Sequence, residues 1–215
     1  MEYVFSFFFV PGSVFLDYEN ASSVIRTNLS QFQFVSPSTY IPLPLDAPAE
    51  IPRMQMLRAD QTVKMTFSNV KIDIAINNVF LSSNNYGTLG VTRALFHKII
   101  NTLMGKLNLE FNRVAIITSS YIKDSEPEKY LSSRLLKISE PVKSLGLNYS
   151  TEEFVDEKSI NVIKDFQTGF INETRDKIII IGHEINNHPD SGNLTENTIM
   201  SIYDFASNKI DNFTF

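Results

Sequence analysis

Two hydrophobic periods alternate along the chain, and the changes between them mark out its elements. Tyr3 to Val10 reads Tyr-Val-Phe-Ser-Phe-Phe-Phe-Val, apolar at both parities apart from Ser6. That predicts a strand covered on both faces, or with one face at an interface. Pro11-Gly12 ends it. Asp17 to Phe32 is expected to be helical, with Val24, Ile25, Leu29 and Phe32 on one stripe and Asp17 or Asn20 as caps. Ser36 to Pro52 holds Pro37, Pro42, Pro44, Pro48 and Pro52, more than half of the nine prolines. Proline lacks an N–H and restricts the residue before it, so this stretch is read as an extended connector packed on the body.

Strict alternation follows. Arg53 to Arg58, then Val63, Met65 and Phe67, then Ile72, Ile74 and Ile76 predict three antiparallel strands with one wet face. Asn84 to Gly87 closes the meander. The period then shifts to that of a helix over Thr92 to Leu107, with Leu95, Phe96, Ile99, Ile100, Leu103 and Leu107 inward.

The organising stretch is Asn108 to Ile122, expected to be a buried strand, because the same order of elements starts again there. Glu126 to Ile138 reads as a helix with Tyr130, Leu131, Leu135 and Ile138 inward and Pro127 in its first turn. Pro141 to Asn148 is a second, shorter connector. Tyr149 to Val155, Ser159 to Phe166 and Lys177 to Ile185 are three strands, with Asp156-Glu157 turning between the first two. Leu194 to Ile210 is the last helix, carrying Ile199, Ile202, Tyr203, Ala206 and Ile210. Strand, helix, three strands, helix is thus written twice at an offset of roughly 105 residues, as a duplicated supersecondary unit would be. The expected fold is α+β: halves Met1–Leu109 and Glu110–Phe215 fused in one compact domain, neither folding alone. A curved, mainly antiparallel sheet would carry the helices on one side, as a saddle or half-barrel. The order resembles those of the TATA-binding protein and of glyoxalase-type repeats, and order alone transfers no function.

Two passages carry a further resemblance. Ile51-Pro-Arg-Met-Gln-Met-Leu-Arg-Ala-Asp-Gln-Thr-Val-Lys-Met-Thr-Phe67 is similar to a hairpin led by Pro-Arg. Phe111-Asn-Arg-Val-Ala-Ile-Ile-Thr-Ser-Ser-Tyr121 is similar to a strand that opens on Arg and an apolar residue after a helix. Together, over Ile51 to Ile122, they resemble a sporadically distributed bacterial family of uncharacterised proteins. The N-terminal strand of that family follows a Pro-containing leader that this chain lacks. The resemblance implies a bacterial or phage cytoplasmic protein and no particular activity.

Composition narrows the chemistry. Hydrophobic content is 43% and charged content 20%, values of a globular chain. With no cysteine, disulfides, thiolate metal sites and cysteine nucleophiles are excluded, and a reducing compartment fits. The net charge of −5, with Lys and Arg scattered singly, argues against nucleic acid as a partner. No run reaches the roughly 20 apolar residues of a spanning helix. Glu2 and the Pro11-Gly12 break oppose a signal peptide.

No catalytic motif survives inspection. His183 and His188 are five residues apart rather than the four of a helical zinc motif, so His183, His188 and Asp190 are expected in a hydrated loop with no bound metal. No Gly-x-Ser-x-Gly elbow or phosphate loop is present, and no cofactor is expected. Arg53 and Arg113 open the two resembling passages and are candidates for a shared anion site, with structural salt bridges as the plainer reading. The functional expectation is association, as a homodimer or with a protein partner. Tyr3, Phe5, Phe7, Phe8, Phe9, Phe213 and Phe215 are its candidate contact residues, since exposed aromatics mark interfaces. The alternative is a ligand binder or enzyme with a cavity between sheet and helices.

Overall fold

The computed structural model describes residues 2–12, 17–44, 46–84, 88–137 and 145–213. Its strands are β1 (Glu2–Phe9), β2 (Thr39–Tyr40), β3 (Met54–Leu57), β4 (Val63–Phe67), β5 (Lys71–Asn77), β6 (Phe111–Lys123), β7 (Gly146–Val155), β8 (Lys158–Phe170) and β9 (Lys177–Asn187). They form one open antiparallel sheet in the order β2-β3-β4-β5-β1-β6-β9-β8-β7. β1 and β6 pair at its middle, Phe5 opposite Ile116 and Phe7 opposite Val114. Outward from that pair run β5, β4, β3 and β2 on one side and β9, β8 and β7 on the other. The fold is therefore α+β.

The helices are α1 (Tyr18–Asn28), α2 (Asn78–Ser83), α3 (Leu89–Ile100), α4 (Pro127–Leu131) and α5 (Glu196–Asp211). Those described pack on one face of the sheet. Strand residues of a single parity point at them: Tyr3, Phe5 and Phe7 on β1, Ile72, Ile74 and Ile76 on β5, Val114 and Ile116 on β6, and Ile179, Ile181 and Ile185 on β9, all buried. The alternation read along β3, β4 and β5 places every Met, Val, Phe and Ile of that parity in the core.

The helix layer is fastened at its centre by α3 against α5. Phe96 stacks on Tyr203 with ring centroids 4.2 Å apart, and Phe5 meets Phe96 at 5.1 Å. The Tyr203 hydroxyl bonds Thr92 Oγ1 and donates to the Leu89 carbonyl at 2.5 Å. Burial raises its pKa well above the ordinary tyrosine value. Asp211, at the end of α5, accepts from the backbone N–H groups of Leu89 and Gly90 at 3.1 and 2.9 Å, satisfying free donors at the start of α3. Arg93 and Asp204 add a bidentate pair at 2.6 and 2.8 Å. The main core cluster contains residues from both ends of the chain, including Phe5, Phe96, Phe111 and Tyr203.

Several local expectations change. The first helix ends at Asn28, and Ser30–Phe32 is a separate 3-10 turn. Asp17 is the cap, accepting from Asn20 N at 3.0 Å. α2 stands between β5 and the turn expected at Asn84 to Gly87, of which residues 85–87 lie outside the described residues: the Asn77 side chain accepts from Val79 N and Phe80 N and starts a helix that buries Phe80 and Leu81. α3 begins at Leu89 and continues as a π-helical segment, Asn101–Lys106. After α4 the helix is likewise π-wound over Ser132–Leu136, which turns Leu135 outward instead of inward (39% exposed). Ile138 lies outside the described residues.

The Phe96–Tyr203–Phe5 stack is expected to dominate stability. Phe96→Ala should cost about 3–5 kcal/mol, the range for emptying a buried aromatic position. Urea unfolding would show it as a lowered midpoint with an unchanged slope. A loss below about 1 kcal/mol would mean the stack is not holding the helix pair.

Candidate functional site: the uncovered face of the sheet

Helices on one face leave the other facing solvent, and cross-strand register aligns its side chains in rows. One row, over β5, β1, β6, β9 and β8, reads Ala75, Val4, Ile117, Glu184 and Ile163. The next reads Asp73, Ser6, Ala115, Asn186 and Asn161. The first is mainly apolar and half-buried; the second is polar apart from Ala115 at its centre, is bonded on either side of that residue, and has Ser6, Ala115 and Asn186 buried among their neighbours. Ser6 Oγ donates to Asp73 at 2.6 Å, and Lys71 pairs with Asp73 at 2.8 Å. Asn161 donates to Asn186 at 3.3 Å, and Asn186 to Glu184 at 2.7 Å. Arg113 reaches Glu184 at 3.4 Å. Side chains thus lace β5 to β1 on one side of the sheet's centre and β6, β9 and β8 on the other. Towards the far end, Glu2, Asn77, Ser119, Tyr121, Ile178 and Ile180 line a shallow depression of about 500 Å³. Charges of both signs are interspersed, Lys64, Lys71 and Arg113 among Glu2, Asp73 and Glu184.

The aromatic residues of β1 divide between the faces. Tyr3, Phe5 and Phe7 belong to the core beneath the helices, so they present no surface to a partner; this corrects their assignment as contact residues. The other parity of β1, Val4, Ser6 and Phe8, lies on the uncovered face. Phe8 faces the open side, its ring between Lys71 Nζ at 5.6 Å and Arg113 Cζ at 4.8 Å. A register shift after Phe8 sets Phe9 opposite Phe111, and their rings stack at 5.7 Å. Phe213 folds back on its own chain, against Phe166 at 6.1 Å and His183 at 4.7 Å, with Lys164 Nζ 4.6 Å from its ring. Phe215 lies outside the described residues.

His183 is not in a loop. β9 runs on to Asn187, and His183 points to the helix side, 6% exposed. Asn186, Asn187 and Pro189 read as turn markers, yet the two asparagines are strand residues. Asn187 accepts from Val114 N at 2.7 Å and donates to the Asn112 carbonyl at 2.9 Å, pinning β9 to β6 where the backbone ladder ends. His188 follows five residues after His183, so the two differ in strand parity and stand roughly 16 Å apart along the chain. His188 Nδ1 pairs with Asp190 at 3.3 Å. Among the described residues no group of three His, Asp or Glu side chains is placed to hold a metal ion.

Arg53 and Arg113 lie four inter-strand spacings apart, roughly 19 Å. Arg53 donates to the carbonyls of Pro44 at 3.4 Å and Ala47 at 3.1 Å, tying the proline-rich connector to the sheet. They do not form one anion site. Near His188, Ser159 Oγ donates to the Glu152 carboxylate. His188 meets Ser159 through its backbone N–H, which donates to the Ser159 carbonyl at 3.0 Å. No described hydrogen bond joins that serine to an imidazole, as nucleophile activation requires.

No family model matches the chain, and no curated protein shows significant similarity to it. Among the described residues no helix is long and apolar enough to cross a membrane.

His183 makes a pH-dependent contribution. Burial first, and the Lys164 charge second, pull its pKa down to about 4. The unfolded chain, with an ordinary histidine pKa near 6.5, then binds the proton more readily than the folded one. Stability from this group is complete above about pH 6.5 and declines as the pH falls towards 4, by up to roughly 3 kcal/mol. An NMR titration of the His183 ring should find its midpoint near 4. A midpoint at or above 6.5 would show that the ring is solvated.

Proposed function

We propose that the protein works by association with protein, either a second copy or a partner, through the uncovered face and edge of its sheet, rather than by catalysis. One observation carries the reading: a broad antiparallel sheet covered by helices on a single side, whose other side sets a half-buried apolar row beside polar groups fixed by hydrogen bonds. Such a mixture of apolar area and fixed polar groups is the ordinary make-up of protein interfaces. The intermingled charges of that face oppose a polyanionic partner, because phosphate binding calls for a field of one sign. A ligand cavity between sheet and helices is opposed by the rings of Phe5, Phe7, Phe96 and Tyr203, which fill the centre of that space.

The reading includes duplication. Leaving aside the two-residue β2, which the second half does not match, each half counted outward from the β1–β6 pair has the first of its three later strands farthest out and the last against its first. This supports two copies of one unit, strand–helix–three strands–helix, meeting antiparallel in a curved sheet. The resemblance over Ile51 to Ile122 supports a bacterial or phage cytoplasmic setting.

Sedimentation equilibrium from about 1 to 50 μM tests the self-association form, a range bracketing a Kd near 1 μM. The weight-average mass is expected to climb from the 24.5 kDa of one chain towards twice that value. A monomer throughout would remove self-association and leave only a different protein as the partner.

A further inference from the structure

We propose that the chain pairs with a second copy of itself along the outer edge of β7, antiparallel and centred on Ser150, so that one sheet runs through both copies. The inference rests on the association reading above and names its partner and surface.

The two edges of the sheet are unlike. β2 is two residues long and is followed by Pro42 and Pro44, so it offers almost no backbone for pairing. β7 is ten residues long, Gly-Leu-Asn-Tyr-Ser-Thr-Glu-Glu-Phe-Val, without proline, lysine or arginine, and no described strand pairs with its outer side. Its charges are Glu152 and Glu153, and an edge of that length without proline, lysine or a bulge is a template for another strand.

Its free groups can be identified. Asp156 and Glu157, with φ of 46° and 63°, form a two-residue turn, so Val155 and Lys158 exchange both backbone bonds. Alternation then directs the backbone groups of Glu153, Thr151, Tyr149 and Leu147 to β8. The bond from Thr168 N to the Leu145 carbonyl at 3.1 Å continues the same parity beyond the strand. Gly146, Asn148, Ser150, Glu152 and Phe154 therefore turn their N–H and C=O outward.

With Ser150 opposite its twin, each outward residue meets an outward residue of the second copy: Asn148 faces Glu152 and Gly146 faces Phe154. Five such pairs would exchange about ten backbone bonds, two per pair. A slip of two residues either way leaves one end unpaired within the strand. Side chains agree with this register. Neither glutamate faces another: Glu152 meets Asn148, and Glu153, held by Lys209 at 2.8 Å, meets Leu147. Tyr149 meets Thr151, a favourable aromatic and β-branched pair. Phe154 is 70% exposed, and a Cβ built on Gly146 has nothing within 4 Å. The ring of one copy has open space over the glycine of the other, the arrangement by which an aromatic compensates a strand glycine.

Ser150→Pro removes one outward N–H and no bond within the chain. It should leave the circular dichroism spectrum unchanged and weaken the dimer at least tenfold in sedimentation equilibrium. Because the chain lacks cysteine, Ser150→Cys supplies a single thiol, which a short bismaleimide should link to its twin in high yield. Thr39→Cys, on the opposite edge, should remain unlinked. If Ser150→Pro fails to fold, the cross-linking pair decides. A folded Ser150→Pro protein that dimerises like the unmodified chain, or a Ser150→Cys protein that dimerises without cross-linking, would place the contact elsewhere and leave association standing. A monomeric unmodified chain would overturn this pairing and the self-association reading together.

Discussion

The structure depends on the pairing of β1 with β6. These two apolar strands meet antiparallel at the centre of the sheet, and their helix-side residues, Phe5 against Ile116 and Phe7 against Val114, form the floor on which the helices stand. β1 comes from the start of the chain and β6 from its middle, so this contact joins segments more than a hundred residues apart. Loop closure makes such a contact costly to form, and only extensive apolar burial on both strands offsets it. The α3–α5 pair repeats the connection one layer up. Tyr203 and Asp211 reach residues 89 to 92 from the far end of the chain. Severing the strand pair would leave each half with a bare edge strand, and severing either layer would leave an incomplete core.

That connection explains why the sequence is legible in some places and not in others. β3, β4 and β5 have one wet face, so their alternation names the buried residues directly. β1 carries phenylalanines at both parities. Its composition is compatible with an interface, and only its place between β5 and β6 shows that Tyr3, Phe5 and Phe7 are core while Phe8 is held between Lys71 and Arg113. The end of β9 misleads for a different reason. Asparagines usually mark turns because their side chains compete for backbone groups. Here that same ability lets Asn187 bond Val114 and Asn112 across strands. α2 has a readable signal, an asparagine cap directly after an isoleucine-rich strand, followed by Val79, Phe80 and Leu81.

The candidate surface is the least legible part, since it is made by register. Ala75, Val4, Ile117, Glu184 and Ile163 are scattered through the chain and become neighbours only when five strands align. The outward groups of β7 depend in turn on the two-residue turn at Asp156 and Glu157, which sets which residues bond β8. The same alignment separates residues that the sequence groups together, Arg53 from Arg113 and His183 from His188.

One cooperative core, built on β1 and β6, unites both halves and leaves the rim of the sheet accessible. Residue-resolved amide hydrogen exchange tests it most directly, because exchange reports the free energy of each opening. The backbone amides of β1, β6, α3 and α5 should share one slowest rate, set by global unfolding, and the outward amides of β7 should exchange fastest among the strands at low protein concentration. Two separate slowest rates, one for each half of the chain, or β1 exchanging by local opening while β7 to β9 stay protected, would contradict the account.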